Sequence, residues 1–173
     1  LAPGGDEIWW VREAHDQDTI RRDIVAVPVS GAAAADPAAV REIAGGSDFL
    51  AFPRPAPDGR RLAWIAWDHP RMPWDGTELR VGELGPDGTV TSVATVLGGP
   101  DESVLQPEWS DADTLYAVSD RSGWWNLYRL PAGGGEPEPL CPRAEEFGHP
   151  LWQLGMTTYA VLADGRLVVR HGT

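Results

Sequence analysis

Lysine is absent from this chain: all 14 basic residues among its 173 are arginines. We read this as compositional bias rather than a requirement for guanidinium groups. Against 26 acidic residues the formal charge is −12, which excludes a nucleic-acid backbone or an anionic membrane surface as partner. A single cysteine, Cys141, excludes an internal disulfide framework and reads as a small, inert apolar group. No apolar run is long enough to span a bilayer, and no secretory signal is present. A cytoplasmic location is therefore expected, with a leader upstream of Leu1 left open. The four histidines, His15, His69, His149 and His171, are scattered and lack the His-Glu-x-x-His spacing of a zinc helix. None of the seven serines has glycine at both −2 and +2, so the nucleophile elbow of hydrolases is missing. No glycine-rich phosphate loop precedes a helix. No metal, no cofactor and no catalytic residue are expected within these 173 residues.

What is abundant is turn material. Glycine (20) and proline (16) make about a fifth of the chain, and 42% of residues are hydrophobic. That combination describes many short strands with turns between them, not disorder. One phrase, a tight turn followed by an apolar strand, recurs four times. It reads Gly4-Gly5-Asp6-Glu7-Ile8-Trp9-Trp10-Val11, then Asp58-Gly59-Arg60-Arg61-Leu62-Ala63-Trp64-Ile65. The third copy is Asp111-Ala112-Asp113-Thr114-Leu115-Tyr116-Ala117-Val118, and the fourth is Asp164-Gly165-Arg166-Leu167-Val168-Val169. Ile8 to Leu62 is 54 residues, Leu62 to Leu115 is 53, and Leu115 to Leu167 is 52. This period predicts an all-β fold, a partial β-propeller of about three to four blades, each a four-stranded antiparallel meander.

Naming the blade strands A to D from the channel outward, Glu7–Arg12, Asp23–Val29 and Val40–Ile43 read as B, C and D of a first blade. Ala32–Arg41 is alanine-rich enough to form a short helix instead. The second blade reads Phe49–Pro55, Leu62–Trp67, Thr77–Leu84 and Val90–Leu97. The third reads Val104–Trp109, Leu115–Ser119, Asn126–Leu130 and Pro137–Leu140. In the fourth, Leu151–Leu162 and Arg166–His171 read as A and B, although the hairpin Thr158–Leu162 with Arg166–Val169 fits equally well. The blade parts are then about 1–46, 47–99, 100–143 and 144–173, one unclosed ring whose bare edges invite self-association.

Meander geometry puts the B–C and D–A connections on one face of the disc and the tight turns on the other. Long, chemically varied loops on the first face (Glu13–Thr19, Asp68–Gly76, Ser119–Trp124) and the acidic joints at Asp48, Asp101-Glu102 and Glu145-Glu146 mark it as the working face. It carries His15, His69, Arg71, Trp74, Arg121, Trp124, Glu145 and Glu146. Within Asp68-His69-Pro70-Arg71-Met72-Pro73-Trp74-Asp75, two prolines fix the backbone. His69 then offers a titratable group, Arg71 a bidentate anion binder and Trp74 a stacking surface. The plainer alternative is a rigid loop with a packed Trp and an internal Asp–Arg pair. Glu145-Glu146 could hold an amino group, or could be a solvated acidic joint. Asp120-Arg121-Ser122-Gly123 reads as a structural turn, and the nine tryptophans as packing between blades.

The phrases Pro107-Glu108-Trp109-Ser110, Leu115–Gly123 and Asn126-Leu127-Tyr128 resemble the propeller repeat of prolyl oligopeptidase family serine peptidases. Trp67–Asp75 and Gly99-Pro100-Asp101-Glu102-Ser103 are similar to its acylaminoacyl-peptidase and dipeptidyl-aminopeptidase-like branch. The third copy departs at Asp111-Ala112-Asp113, where the family has Pro-Asp-Gly, which should alter one turn. The resemblance implies an N-terminal propeller that gates a C-terminal α/β-hydrolase domain holding the catalytic triad. That domain is absent from these residues, so this portion is expected to be inactive alone, with the hydrolase domain and a short peptide substrate as its partners. His69, Arg71, Trp74, Glu145 and Glu146 are the candidate substrate-binding residues, the last two by likeness to a glutamate pair that binds the substrate's amino terminus. The alternative is a protein-interaction propeller of the Tol-system type. A metal-centred propeller lactonase needs converging Glu, Asn and Asp, and Asn126 is the only asparagine.

Overall fold

Alternation along the fifth strand, Arg-Leu-Ala-Trp-Ile-Ala-Trp, explains how the sheets of this protein stack. In the computed structural model, which describes residues 2, 4–17 and 19–172, nearly every side chain of that strand is buried, because it is covered on both faces. Leu62, Trp64 and Ala66 point to one side, into a cluster with Ile24, Ala26 and Ile43. Ala63, Ile65 and Trp67 point to the other, into a cluster with Val104, Leu105, Leu115 and Ala117. A period of two thus splits one strand between two cores.

The strands run in chain order through four antiparallel sheets. The first holds β1 (Glu7–Asp16), β2 (Thr19–Pro28) and β3 (Arg41–Ala44). The second holds β4 (Phe49–Pro55), β5 (Arg61–Trp67), β6 (Glu78–Leu84) and β7 (Val90–Gly98). The third holds β8 (Val104–Trp109), β9 (Thr114–Ser119), β10 (Asn126–Pro131) and β11 (Glu138–Pro139), and the fourth β12 (Tyr159–Val161) with β13 (Leu167–Val169). Each sheet is a meander, and the whole is a partial propeller whose ring does not close.

Four tight turns share one device. Asp58, Asp87, Asp111 and Asp164 each accept, on Oδ1, the backbone N–H two residues on. Gly59, Gly88 and Gly165 follow with positive φ, whereas Ala112 does not, so the departure in the third copy changes the turn's backbone while its hydrogen bond survives. Gly98 (φ 87°) is required for a different reason: a Cβ there would lie 2.1 Å from the Thr77 carbonyl oxygen.

Inner strands β4 and β8 carry matching irregularities. Phe52 (φ 52°) and Gln106 (φ 48°) each precede a proline at a register shift against the next strand. The residues after those prolines, Arg54 and Glu108, form an ion pair at 2.9 Å, and Trp109 Nε1 donates to the Arg54 carbonyl at 2.8 Å. These contacts bind the second sheet to the third.

Three expectations are corrected. β1 and β2 pair continuously from Glu7↔Pro28 to Asp16↔Thr19, so Glu13–Thr19 is no long loop (Asp18 lies outside the described residues). Charge pairs across that ladder, Arg22–Glu13 and Arg12–Asp23, extend the hairpin beyond its apolar part. The alanine-rich stretch forms two 3-10 turns, Ala32–Ala34 and Pro37–Ala39, the second capped by Asp36, and β3 begins only at Arg41. Leu151–Leu162 is not one strand: only Tyr159–Val161 pairs with β13, which is the local hairpin alternative.

Candidate functional site

Loops between β5 and β6, between β9 and β10, and the joints entering β4, β8 and β12 meet on one face, and carboxylates hold them there. Asp48 N donates to Asp68 Oδ1 at 2.7 Å, while His69 N donates to Asp48 Oδ2 at 2.8 Å. Ser103 N donates to Asp120 Oδ1 at 2.8 Å, and Trp125 N donates to Glu146 Oε2 at 2.8 Å. Ser119 Oγ donates to Glu102 Oε1 at 2.6 Å. The acidic joints therefore bind backbone and hydroxyl donors of the neighbouring loop, a charge-assisted use of carboxylates. Burial raises the Asp120 carboxyl above the ordinary aspartate range; the Ser103 N–H pulls it back, and Glu102 and Glu146 push it up again.

The loop 68–77 is fixed at both ends. Thr77 Oγ1 donates to the Val104 carbonyl and accepts from Val104 N, each at 2.7 Å, and Ser103 Oγ donates to the Pro73 carbonyl at 2.7 Å. Gly76 passes so close to Pro100 that a Cβ would stand 2.3 Å from its carbonyl oxygen. Asp75 accepts from Met72 N at 2.8 Å. With Asp68 and Asp75 both engaged by backbone, Arg71 forms no ion pair among the described residues, and the internal Asp–Arg pair considered from sequence does not form. His69 is exposed and edge-on to Phe49, with ring centroids 4.8 Å apart. Trp74 lies against Trp152, centroids 4.4 Å apart and planes inclined by 46°.

Glu145 and Glu146 sit elsewhere on the face, on the joint between β11 and β12. His171 meets Glu145 at 2.5 Å and stacks on Phe147 at 5.1 Å. Asn126 braces the joint: its Nδ2 donates to the carbonyls of Arg143 and Glu145, and its Oδ1 accepts from Arg143 N. A recess of about 500 Å³ opens beside them, lined by Trp125, Glu146, His149, Arg170 and His171 among others. Among the described residues no hydrogen bond or ion pair joins His69, Arg71 or Trp74 to Glu145 or Glu146; the loop meets that joint through Trp74 and Trp152. His15 pairs with Glu13, and Arg121 lies 3.7 Å from Glu102.

Trp152 was missed from sequence because the tryptophans other than Trp74 and Trp124 were read as packing, yet it is 72% exposed and Trp10 66%. The signal for Trp152 was the length of the Pro150–Asp164 segment. Chemically, the face offers an unpaired guanidinium, aromatic surface and carboxylates. Among the described residues no serine hydroxyl is hydrogen-bonded to a histidine, and no group of three metal-ligating side chains converges.

No family model matches the sequence, nor does any curated protein. Solved structures do. The chain superposes on a puromycin-hydrolysing peptidase from Mycobacterium tuberculosis with a TM-score of 0.94 and 50% identity, over 99% of this chain and 27% of that one. It superposes on a puromycin hydrolase with a TM-score of 0.92 and 45% identity, again over 99% and 27%; a variant of that hydrolase is also known in complex with PGG. TolB from Acinetobacter baumannii shares the fold at 17% identity, with a TM-score of 0.62 over 96% of this chain and 35% of that one. The chain thus spans about a quarter of the length of the puromycin-hydrolysing proteins it matches.

Proposed function

Because this chain is over its whole length a partial β-propeller of the prolyl oligopeptidase family, we propose that it is the substrate-gating portion of a serine peptidase acting on short peptides. The observation that carries this reading is 45–50% identity over 99% of the chain. An identity of that size over nearly the whole chain speaks for a shared task. A likeness to TolB at 17% speaks for the fold alone.

In this reading the nucleophile, its histidine and the oxyanion donors come from a hydrolase domain of the same polypeptide outside these 173 residues. Acyl transfer then proceeds there by attack of a serine oxygen on the peptide carbonyl. What the propeller adds is selection and positioning. Its latched loops form a rigid rim, and a rigid rim admits a short, extended peptide while a folded protein is kept out. His69, Arg71 and Trp74 on one loop, with Glu145 and Glu146 on the neighbouring joint, are the proposed substrate contacts. Arg71 suits a peptide carboxylate or carbonyl and the acidic joint a peptide amine.

The test is hydrolysis of a chromogenic peptide and of puromycin by the full-length polypeptide and by residues 1–173. Turnover by the full-length protein that a serine-reactive inhibitor blocks, with none from residues 1–173, is the expected result. Inhibitor-sensitive turnover by residues 1–173, or none by the full-length protein, overturns the proposal.

A further inference from the structure

Residues 151–156 form an irregular segment that is anchored at both ends and exposed in the middle. Leu151 is buried in the core between the second and third sheets, and Met156 packs against the same core. Between them Trp152, Gln153, Leu154 and Gly155 are all exposed. Trp152 is nonetheless held in place: its backbone N–H donates to the Pro150 carbonyl at 3.0 Å, and its indole lies tilted against that of Trp74. With 72% of the residue still in water, much of the ring is open. Met72, on the same loop as Trp74, is also exposed.

We infer that Trp152, propped by Trp74, is a stacking platform for an aromatic side chain of the peptide substrate. The inference rests on the peptidase reading and names its substrate preference. Two observations select this occupant. The platform is a single indole face, which fits a planar ring better than a branched aliphatic chain, because offset stacking gains from matched π-surfaces. The unpaired Arg71 on the same loop leaves a donor for the peptide's own carbonyls or carboxylate. Anchoring at Leu151 and Met156 means that little ordering is needed when the ligand arrives.

The experiment uses the full-length polypeptide and two tripeptide p-nitroanilides that differ only in phenylalanine or alanine at the amino-terminal position. Trp152→Ala should lower kcat/KM for the phenylalanine substrate about tenfold and for the alanine substrate less than about twofold. Trp152→Phe, which keeps a ring, should recover most of the loss. A thermal melt shows whether each variant is folded; an exposed side chain predicts little change. Equal loss on both substrates, or no loss, overturns the inference while the peptidase reading stands. A fall in melting temperature with unchanged selectivity also overturns it, since Trp152 is then covered by another part of the polypeptide. If the unmodified protein hydrolyses neither substrate, the peptidase reading itself fails.

Discussion

Asp48, Asp68, Asp120 and Glu146 each accept a backbone N–H from another loop, and this decides how the charge of −12 is tolerated on one face. A carboxylate engaged by amide dipoles is stabilised without a cation, so the joints can be acidic and still hold. Asp120 is the case where the balance goes the other way, because burial, Glu102 and Glu146 raise its folded value despite the Ser103 N–H. A folded value above the unfolded one means that the proton favours the fold. That contribution is complete below the ordinary aspartate range near pH 4 and is lost as pH rises through the raised value. Asn at this position keeps an oxygen acceptor for Ser103 and carries no charge. Asp120→Asn should therefore raise the melting temperature at pH 7 and have almost no effect at pH 3, where Asp120 is protonated in both states. Melts at the two pH values check this; the same shift at both would remove charge as the cause.

Between elements, the fourth sheet packs on the third through Tyr116, Val118 and Leu127 against Tyr159, Val161, Leu167 and Val169, and one buried side chain adds the hydrogen bonds. Gln106 Nε2 donates to the Tyr159 carbonyl and its Oε1 accepts from Thr158 N, each at 2.7 Å, while Tyr159 Oη donates to the Gln106 carbonyl at 2.6 Å. Burial pushes the Tyr159 phenol well above its ordinary value, so it remains a donor at any physiological pH. Gln106→Leu strands one donor and one acceptor and should cost about 2–4 kcal/mol. Faster hydrogen exchange in Tyr159–Val161, with β5 unaffected, is the expected readout; uniform change across the sheets would place the loss elsewhere. Nothing in the repeat reveals this link, since its partners are 53 residues apart and the role depends on a left-handed backbone at Gln106. The strands themselves were legible where apolar periodicity and turns agree, as at Phe49–Pro55 and Val104–Trp109, whose bounds match β4 and β8. Legibility failed where charge pairs extend a ladder, as in β1–β2, and where a long segment lacks a partner strand, as at 151–158. Of the candidate site, the loop 68–77 was visible through its prolines and chemistry. The acceptor role of Asp48, Asp120 and Glu146 was not, because their donors lie 17 to 21 residues away in sequence.

At the scale of the molecule, each inner sheet is covered on both faces, whereas the first and fourth have only one neighbour. Trp10 (66% exposed) and Ile8 project from the first sheet, and Val168 (58% exposed) projects from the fourth. The same alternation that divides β5 between two cores thus leaves, at either end, an apolar row suited to another sheet. Sheets one and two show what such a row packs against: Trp9 and Val11, the opposite face of β1, lie on Leu50, Leu62 and Trp64. Residues 1–173 in isolation should accordingly self-associate through these end faces. Like charge opposes it, since every copy carries −12, and the repulsion reaches about 30 Å at 0.01 M salt but only about 8 Å at 0.15 M. Association should therefore strengthen with salt, the reverse of an assembly held by ion pairs. Sedimentation at the two ionic strengths gives the sign. Trp10→Ser removes the largest exposed ring of the end faces without disturbing a core and should shift the population toward monomer at 0.15 M. A monomer at both ionic strengths, or association that weakens with salt, would rule out packing through the apolar end faces.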